Sequence, residues 1–291
     1  MKQRRAPLLA LESPFPAEHS MLRFLEPPGT CTNALWTRLF DGSYDKPFIV
    51  DSKLKRFLHF DLDAVQSAMD LRQPDRLCLA YTRKMMAFLL FNPAPKRVLL
   101  LGLGGGSLAK FCYWRLPSSA FTVVEVNDHV LALRDEFCVP ADDERFRVIH
   151  GDGASYIEHE AAEKDVILAD ACNRTGIAPE LNGLDFYRNA HRALAPGGVF
   201  IANVCGNVHD RAAHRLRIRQ AFGDDYLVLP VRQDGNVIVI AFKEARARPA
   251  LQDILASAVD LKRTFGLDFP RYVQRIVVEQ QRRLSVPWGS R

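Results

Sequence analysis

A run of glycines follows directly on an apolar segment in the first half of the chain. The apolar segment covers residues 98–101, and the glycine run ends where Ser107 opens a segment with helical character. A short apolar run before a helix indicates a buried strand. Glycines at such a junction permit positive φ angles and let backbone N–H groups approach a bound ligand. The sequence therefore predicts a ligand-binding turn that contains Gly102, Gly104, Gly105 and Gly106.

Strand and helix patterns then alternate through most of the chain. Strands are predicted at residues 121–126, 146–150, 166–170 and 199–204, with helical segments between them, and residues 226–231 and 236–242 form a closing strand pair. Strands that alternate with helices form a parallel sheet that is covered by helices on both faces. The predicted fold class is therefore α/β, with a doubly wound, mostly parallel sheet.

The segment before this alternation has a different character. Residues 1–45 are rich in prolines and charges and are predicted to be irregular, whereas two apolar runs at 48–50 and 57–60 predict a β-hairpin. A helix is predicted to start near Pro74 and to end before Pro93. We expect three parts: residues 1–73 with the hairpin, residues 74–248 with the main sheet, and residues 249–291 with two basic helical segments.

Composition narrows the class of protein. With 48% hydrophobic and 25% charged residues, the 291-residue chain is expected to fold rather than to be disordered. A net charge of +5 is too small to indicate nucleic-acid binding by itself. No apolar run reaches the roughly 20 residues that span a bilayer, and neither cysteines nor histidines have the spacing of a metal site. We interpret the chain as a cytoplasmic protein whose cysteines are free thiols.

Acidic residues follow three of the predicted strands. Glu125 ends the strand after the glycine turn, where a carboxylate can accept both hydroxyls of a ribose. Asp152, followed by Gly153, ends the third strand and can accept from an adenine amino group. Asp170 ends the fourth strand, and all three acids are predicted at the edge where ligands bind in such sheets. A helix N-cap remains the alternative for Asp152, and a structural cap remains the alternative for Asp170.

Two classes of nucleotide ligand fit a glycine turn of this kind. The dinucleotide pattern G-x-G-x-x-G would place a third glycine at Ser107, where it is missing. Asp152 and Gly153 instead favour a nucleoside ligand of the S-adenosylmethionine type.

These motifs together resemble the spermidine synthase (polyamine aminopropyltransferase) family, over residues 47–242. Several of them, such as the glycine turn and residues 194–199, occur in S-adenosylmethionine-dependent methyltransferases at large. The hairpin that precedes the helix holding Tyr81, with Gln66 and Ser67 between them, is more particular to the aminopropyltransferases. The resemblance implies a Rossmann-like methyltransferase fold.

The resemblance also implies a role for each matched residue. Glu125 is similar to the ribose ligand, and Asp152 with Gly153 to the adenine contacts. Asp170 is similar to the carboxylate that takes a proton from the attacking amine, and Tyr81 to an aromatic residue of the amine pocket. Positions for binding the substrate are occupied by Gln66, Thr82 and Asn173. The implied donor is S-adenosylmethionine or its decarboxylated form, the implied acceptor is a small amine, and the implied assembly is a homodimer.

The chain departs from the family where a cationic amine is held. Gly105 replaces the acid that binds the donor's amino group, Thr82 and Arg83 replace two polar or acidic residues, and Asn173 with Arg174 replaces a second acid. Either arginine would repel a diamine if it faced the pocket. Aminopropyl transfer is the leading prediction, and two alternatives stay open: methyl transfer from intact S-adenosylmethionine, and a non-catalytic nucleoside-binding homologue.

The basic residues of the second half give a further alternative. Arg211, Arg215 and Arg219 share one face of a predicted helix at i, i+4 spacing. We interpret this face as solvated, with an RNA contact as the alternative.

Overall fold

The N-terminal part of the chain folds into a sheet. The computed structural model describes residues 8–13, 20–160, 163–173, 176–232, 235–244 and 249–285. Within these ranges, five antiparallel strands lie in the order β1-β2-β3-β4-β5. The strands are β1 (Leu9–Glu12), β2 (Met21–Phe24), β3 (Phe48–Asp51), β4 (Lys55–His59) and β5 (Val65–Asp70), and helix α1 (Thr32–Phe40) connects β2 to β3.

The hairpin prediction is confirmed by β3 and β4, but the prediction of an irregular segment before residue 45 is wrong. Leu22 and Phe24 of β2 are buried together with Leu35 and Leu39 of α1 in one cluster. Alternate positions of a strand and positions four apart on a helix each share a face. These elements therefore bury an apolar face despite the neighbouring prolines.

The helix expected from Pro74 begins later than the sequence suggests. Helix α2 (Ala80–Met85) is followed by a 3-10 helix (Met86–Leu90), all of whose residues are buried. The guanidinium of Arg83 donates to the carbonyl oxygens of Leu77 and Cys78. These carbonyls precede the helix. The Arg83 side chain supplies the hydrogen bonds that backbone N–H groups would donate to them if the helix began earlier.

The main sheet, in the described part of the chain, has seven strands in the order β13-β14-β12-β9-β6-β7-β8. They are β6 (Arg97–Leu101), β7 (Ala120–Glu125), β8 (Phe146–His150), β9 (Lys164–Ala169), β12 (Leu194–Val204), β13 (Leu227–Pro230) and β14 (Val237–Phe242); β10 (Cys172–Asn173) and β11 (Gly176–Ile177) form a short pair outside it. The pairs from β12 to β8 are parallel, and β14 is antiparallel to both neighbours. The predicted fold class is confirmed.

Helices cover both faces of this sheet. They are α3 (Ser107–Arg115), α4 (Asp128–Ala132), α5 (Gly153–Glu158), α6 (Leu184–Ala193), α7 (Val208–Phe222), α8 (Leu251–Phe265) and α9 (Phe269–Ser285). Ile254 of α8 and Val273 of α9 belong to the same buried cluster as Leu100 of β6. Ile218 of α7 belongs to the cluster on the other face, with Leu99. The two C-terminal helices therefore complete the core, while the boundaries between the three expected parts stay a prediction.

Polar contacts join the N-terminal sheet to the main sheet. Arg56 of β4 donates to the carboxylate of Glu136 over 3.1 Å and also pairs with Asp51. The hydroxyl oxygens of Ser67 on β5 and Ser107 on α3 lie 3.1 Å apart. The second contact brings β5 directly over the glycine turn.

None of the helices that the structure describes is both long enough and apolar enough to cross a membrane.

Candidate active site

A cavity of about 570 Å³ opens at the carboxyl ends of β6, β7 and β9. This volume falls in the range of small-molecule sites. The N-terminal sheet contributes Gln66 and Ser67 to its wall, and α2 contributes Tyr81. Eight of the residues expected at a ligand site line this single cavity: Gln66, Tyr81, Gly102, Gly104, Glu125, Asp152, Gly153 and Asp170.

The glycine turn brings the ends of two strands together. Gly102 has a φ of 97°, and a Cβ atom there would collide with the backbone carbonyl of Asp170. The backbone N–H of Asp170 donates to the carbonyl of Leu101 over 2.8 Å. Gly106, at the N-terminus of α3, also has a positive φ and would collide with Val139 if it carried a Cβ. Gly102 is therefore required for the close approach of β6 and β9.

A glycine is required at position 105 for a different steric reason. A Cβ at this position would lie 2.6 Å from the hydroxyl oxygen of Ser67. Ser67 and Ser107 are both buried, and both line the cavity, whereas Gly105 and Gly106 are not among its lining residues. The neutral hydroxyl of Ser67 thus occupies the space into which a side chain at position 105 would extend.

Glu125 stands at the end of β7 with only 8% of its surface exposed. One carboxylate oxygen accepts from the backbone N–H of Leu103 and the other from that of Asn127, each over 2.8 Å. Each carboxylate oxygen can accept a second hydrogen bond. The carboxylate is therefore fixed in orientation and can still accept ribose hydroxyls.

Asp152 caps a helix and also lines the cavity. Its carboxylate caps α5 by accepting from the backbone N–H groups of Ala154 and Ser155, and from the Ser155 hydroxyl over 2.8 Å. Burial alone would raise the pKa of Asp152, but these hydrogen bonds outweigh burial and lower it. The residue therefore lines the cavity as a stable carboxylate.

Asp170 follows β9 and reaches the cavity as a half-buried carboxylate. The side-chain nitrogen of Asn203, on the neighbouring strand β12, donates to its Oδ1 over 2.9 Å. Burial raises the pKa of Asp170 to about 6, against the opposing effect of hydrogen bonds from Asn203 and Tyr81. A carboxylate with this pKa is ionised at neutral pH and can still exchange a proton there.

Two expectations about the amine end of the site need correction. Thr82 is buried and its hydroxyl donates to the carbonyl of Leu79 over 2.8 Å. Neither Thr82 nor Arg83 lines the cavity, because both side chains bond to carbonyls that precede α2. Arg83 therefore does not meet the condition under which it was expected to repel a diamine, since it does not face the cavity. The side chain of Asn173 and all of Arg174 lie outside the described residues, so the expectations for them stay predictions.

Two acids of the cavity wall were missed in the sequence. Asp45 lies in the segment expected to be irregular, and Glu180 lies in a 3-10 helix (Pro179–Leu181) that no motif marks. Asp45 pairs with Arg38 over 2.9 Å. With Glu125, Asp152 and Asp170, these acids give the wall five carboxylates, and the lining that the structure describes contains no Lys, Arg or His. Such a wall favours a cationic ligand.

A disulfide joins Cys172, which lines the cavity, to Cys205 beyond the end of β12. The expectation that all cysteines are free thiols is therefore wrong for this pair. The partners are 33 residues apart in the sequence, and no short-range cysteine motif reveals them. Cys31, Cys78, Cys112 and Cys138 are free.

The doubly wound sheet, the glycine turn and the acids at its strand ends define a Rossmann-like α/β class of protein with a cavity at the carboxyl edge of its sheet. The family described as "Spermine/spermidine synthase domain" matches residues 79–220. A polyamine aminopropyltransferase of Chromobacterium violaceum is 35% identical over 222 residues, covering 76% of this chain and 85% of the relative. One from Neisseria meningitidis is 36% identical over 220 residues, covering 74% and 83%. The chain belongs to the spermine/spermidine synthase family.

Solved structures agree on the fold. Human methyltransferase-like protein 13 in complex with SAH has a TM-score of 0.58 at 24% identity, covering 65% of this chain and 93% of that one. A probable spermidine synthase from Corynebacterium glutamicum has a TM-score of 0.55 at 21% identity, covering 82% and 81%. A spermidine synthase in complex with the transition state analogue AdoDATO has a TM-score of 0.52 at 20% identity, covering 76% and 88%. These likenesses confirm the methyltransferase-type fold.

Proposed function

We propose that the chain is a polyamine aminopropyltransferase, which moves an aminopropyl group from decarboxylated S-adenosylmethionine to a small aliphatic amine. The observation that carries this proposal is the cavity wall of five carboxylates, whose described residues include no cation. The donor is a sulfonium with an ammonium group, and the acceptor is an ammonium ion in water. Both ligands are therefore attracted by the same wall.

The nucleoside of the donor is assigned to the ends of β6, β7 and β8. Glu125, held by two backbone N–H groups, accepts from the ribose hydroxyls. Asp152 accepts from the adenine amino group, and Gly153 beside it adds no side chain to the wall. Gly102 and Gly104 let the backbone of the turn approach the ligand. Asp152 is placed to select adenine because it stays ionised as the cap of α5.

The transfer itself requires little more than alignment and removal of a proton. The neutral amine nitrogen attacks the aminopropyl methylene carbon that is bonded to sulfur, and the new C–N bond forms as that C–S bond breaks. Sulfur leaves with its electron pair as the thioether of methylthioadenosine. The proton that nitrogen loses goes to Asp170, while Tyr81 and Gln66 shape the acceptor pocket. The protein thus contributes orientation and general-base assistance.

Methyl transfer from intact S-adenosylmethionine is a second candidate. It is favoured by one observation: Ser67 and Ser107 present neutral hydroxyls beside Gly105, so this position supplies no acid to the amino group of a decarboxylated donor.

The two candidates leave different products. The protein is incubated with either donor and a panel of short diamines, and both thioethers are quantified by mass spectrometry. Aminopropyl transfer releases methylthioadenosine and lengthens the acceptor, whereas methyl transfer releases S-adenosylhomocysteine. We expect methylthioadenosine from the decarboxylated donor. Binding of methylthioadenosine without turnover of either donor would contradict the proposal and support a non-catalytic homologue.

The proposal extends to a homodimer that acts in the cytoplasm. Its support is family membership, and light scattering of the purified chain tests the assembly. Disulfides are rare in a strongly reducing compartment, so the proposed location predicts that the Cys172–Cys205 pair is largely reduced in the cell. Thiol labelling of the protein in intact cells tests the location, because a reduced pair at steady state supports the cytoplasm.

A further inference from the structure

Asn203 is a buried amide within an otherwise apolar strand. It lies in β12 between Ala202 and Val204, and 4% of its surface is exposed. Its side-chain nitrogen donates to Oδ1 of Asp170 over 2.9 Å. Its side-chain oxygen is buried and accepts no hydrogen bond from the described protein atoms. A buried acceptor without a partner destabilises the fold, so an apolar residue would serve packing better than this amide.

The fold holds Asn203 beside Asp170 in two further ways. Strands β9 and β12 are parallel neighbours in which Ala169 lies opposite Ala202, so Asp170, the residue after β9, lies beside Asn203 of β12. The disulfide lies two residues beyond each partner, since it joins Cys172 to Cys205. The strand register and the disulfide therefore hold the backbone of Asn203 next to that of Asp170.

We propose that Asn203 is a positioning residue for Asp170: its amide nitrogen orients the carboxylate and stabilises the ionised form that accepts a proton from the acceptor amine. The inference rests on the proposed function, because Asp170 is the general base only in a transfer to an amine. The amide itself does not need to touch either substrate.

The burial of Asp170 makes this hydrogen bond consequential, because burial raises the pKa of its carboxyl group to about 6. The acids that share the cavity with it are Asp45, Glu125, Asp152 and Glu180. Among the described lining residues no cation offsets them. Asn203 and Tyr81 are the neutral donors that favour the charged carboxylate. Removal of the Asn203 donor should therefore raise the pKa of Asp170.

The test measures the ionisation of Asp170 with and without this donor. In Asn203→Ala, we expect the titration midpoint of Asp170 to rise by about one to two pH units, which is the worth of a hydrogen bond to a charged group. Carboxyl ¹³C NMR follows this midpoint without turnover, and Asp170→Asn assigns the signal. The acid limb of the pH–kcat profile should move in the same direction, because activity needs the ionised base.

A second variant covers the case in which Asn203→Ala does not fold. Asn203→Asp has nearly the same size and places two carboxyl groups in contact, so the pair should share a proton and titrate with a still higher apparent pKa. Ile201→Val is the matched control, since Ile201 is buried in the same strand. It should lower stability slightly and leave the titration of Asp170 unchanged.

The outcomes separate this inference from the proposed function. An unchanged Asp170 titration in a folded Asn203 variant would overturn the inference and reduce Asn203 to a packing residue. A shifted titration in a protein that transfers no group from either donor would support the positioning of Asp170 and contradict the proposed function.

Discussion

The two halves of the cavity are built in different ways. The half proposed to bind the nucleoside, here called the nucleoside half, lies at the ends of β6, β7 and β8 and consists of Gly102, Gly104, Glu125, Asp152 and Gly153. The reaction half lies on the β9 side of β6 and is assembled from β5, α2 and the end of β9. In the first half the carboxylates are held by nearby backbone N–H groups. In the second half, side chains from separate elements hold one another.

The half that is proposed to recognise the nucleoside is held by the backbone, whereas the half that is proposed to carry out the reaction is held by particular side chains. Glu125 is oriented by backbone N–H groups of the turn that follows β6 and of the loop that follows β7. Its orientation therefore depends on the path of the backbone at these strand ends and not on particular neighbouring side chains. Asp170 depends on Asn203 from β12 and on Tyr81 from α2. We therefore expect mutations in the two halves to have separable effects, with loss of affinity in one and loss of rate in the other.

The largest separable effect is expected for Asp170→Asn. The amide keeps the shape of the carboxylate but cannot accept a proton, and general-base assistance typically contributes about 10²–10⁴-fold. The rate constant of single-turnover transfer should fall by that factor, while the affinity for methylthioadenosine stays close to that of the wild type. Normal turnover would make Asp170 a structural cap, and a comparable loss of nucleoside affinity would erase the distinction between the halves.

The disulfide gives the next effect, on stability. Replacing both partners, as Cys172→Ser with Cys205→Ser, should lower the free energy of unfolding by about 2–4 kcal/mol. Unfolding in denaturant measures this change in the free energy of unfolding. A reducing agent should bring the wild type down to the stability of the double variant and leave the double variant unchanged. The four samples are the wild type and the double variant, each with and without the reducing agent. Equal stability of all four would show that the disulfide does not stabilise the reaction half.

A smaller effect is expected for Glu125→Ala in the nucleoside half. Loss of a charged acceptor of hydroxyl hydrogen bonds should weaken methylthioadenosine binding by about 1–3 kcal/mol. Calorimetry gives the affinity, and single-turnover transfer at saturating donor should keep most of its rate. Unchanged affinity in a folded variant would remove Glu125 from the site.

The sequence predicts the nucleoside half because its features are local. The apolar segment before the glycine run and the acids at strand ends follow from strand periodicity and from the rule that ligands bind at the carboxyl edge. Glu125, Asp152 and Asp170 reach one cavity for this reason. The alternation of strands and helices predicts the central sheet in the same way.

Gln66, Tyr81 and Asp170 of the reaction half are predicted from the sequence, but its other features escape prediction because they depend on tertiary contacts. Thr82 and Arg83 point to carbonyls before α2 because that helix begins only at Ala80. Asp45 joins the wall through the packing of the N-terminal sheet, whose strands are too short to stand out among prolines. The role of Asn203 could have been predicted from the sequence, because a buried polar amide inside an apolar strand is expected to have a hydrogen-bond partner.

Calorimetric titration with three ligands tests the central claim most directly. Methylthioadenosine measures the nucleoside half alone, and decarboxylated and intact S-adenosylmethionine add an ammonium or a zwitterion to it. The five carboxylates attract the ammonium, and the described lining residues offer no cation to the donor's carboxylate. We expect decarboxylated S-adenosylmethionine to bind at least about tenfold more tightly than the intact donor, or about 1.4 kcal/mol. Equal or tighter binding of the intact donor would contradict aminopropyl transfer and favour methyl transfer.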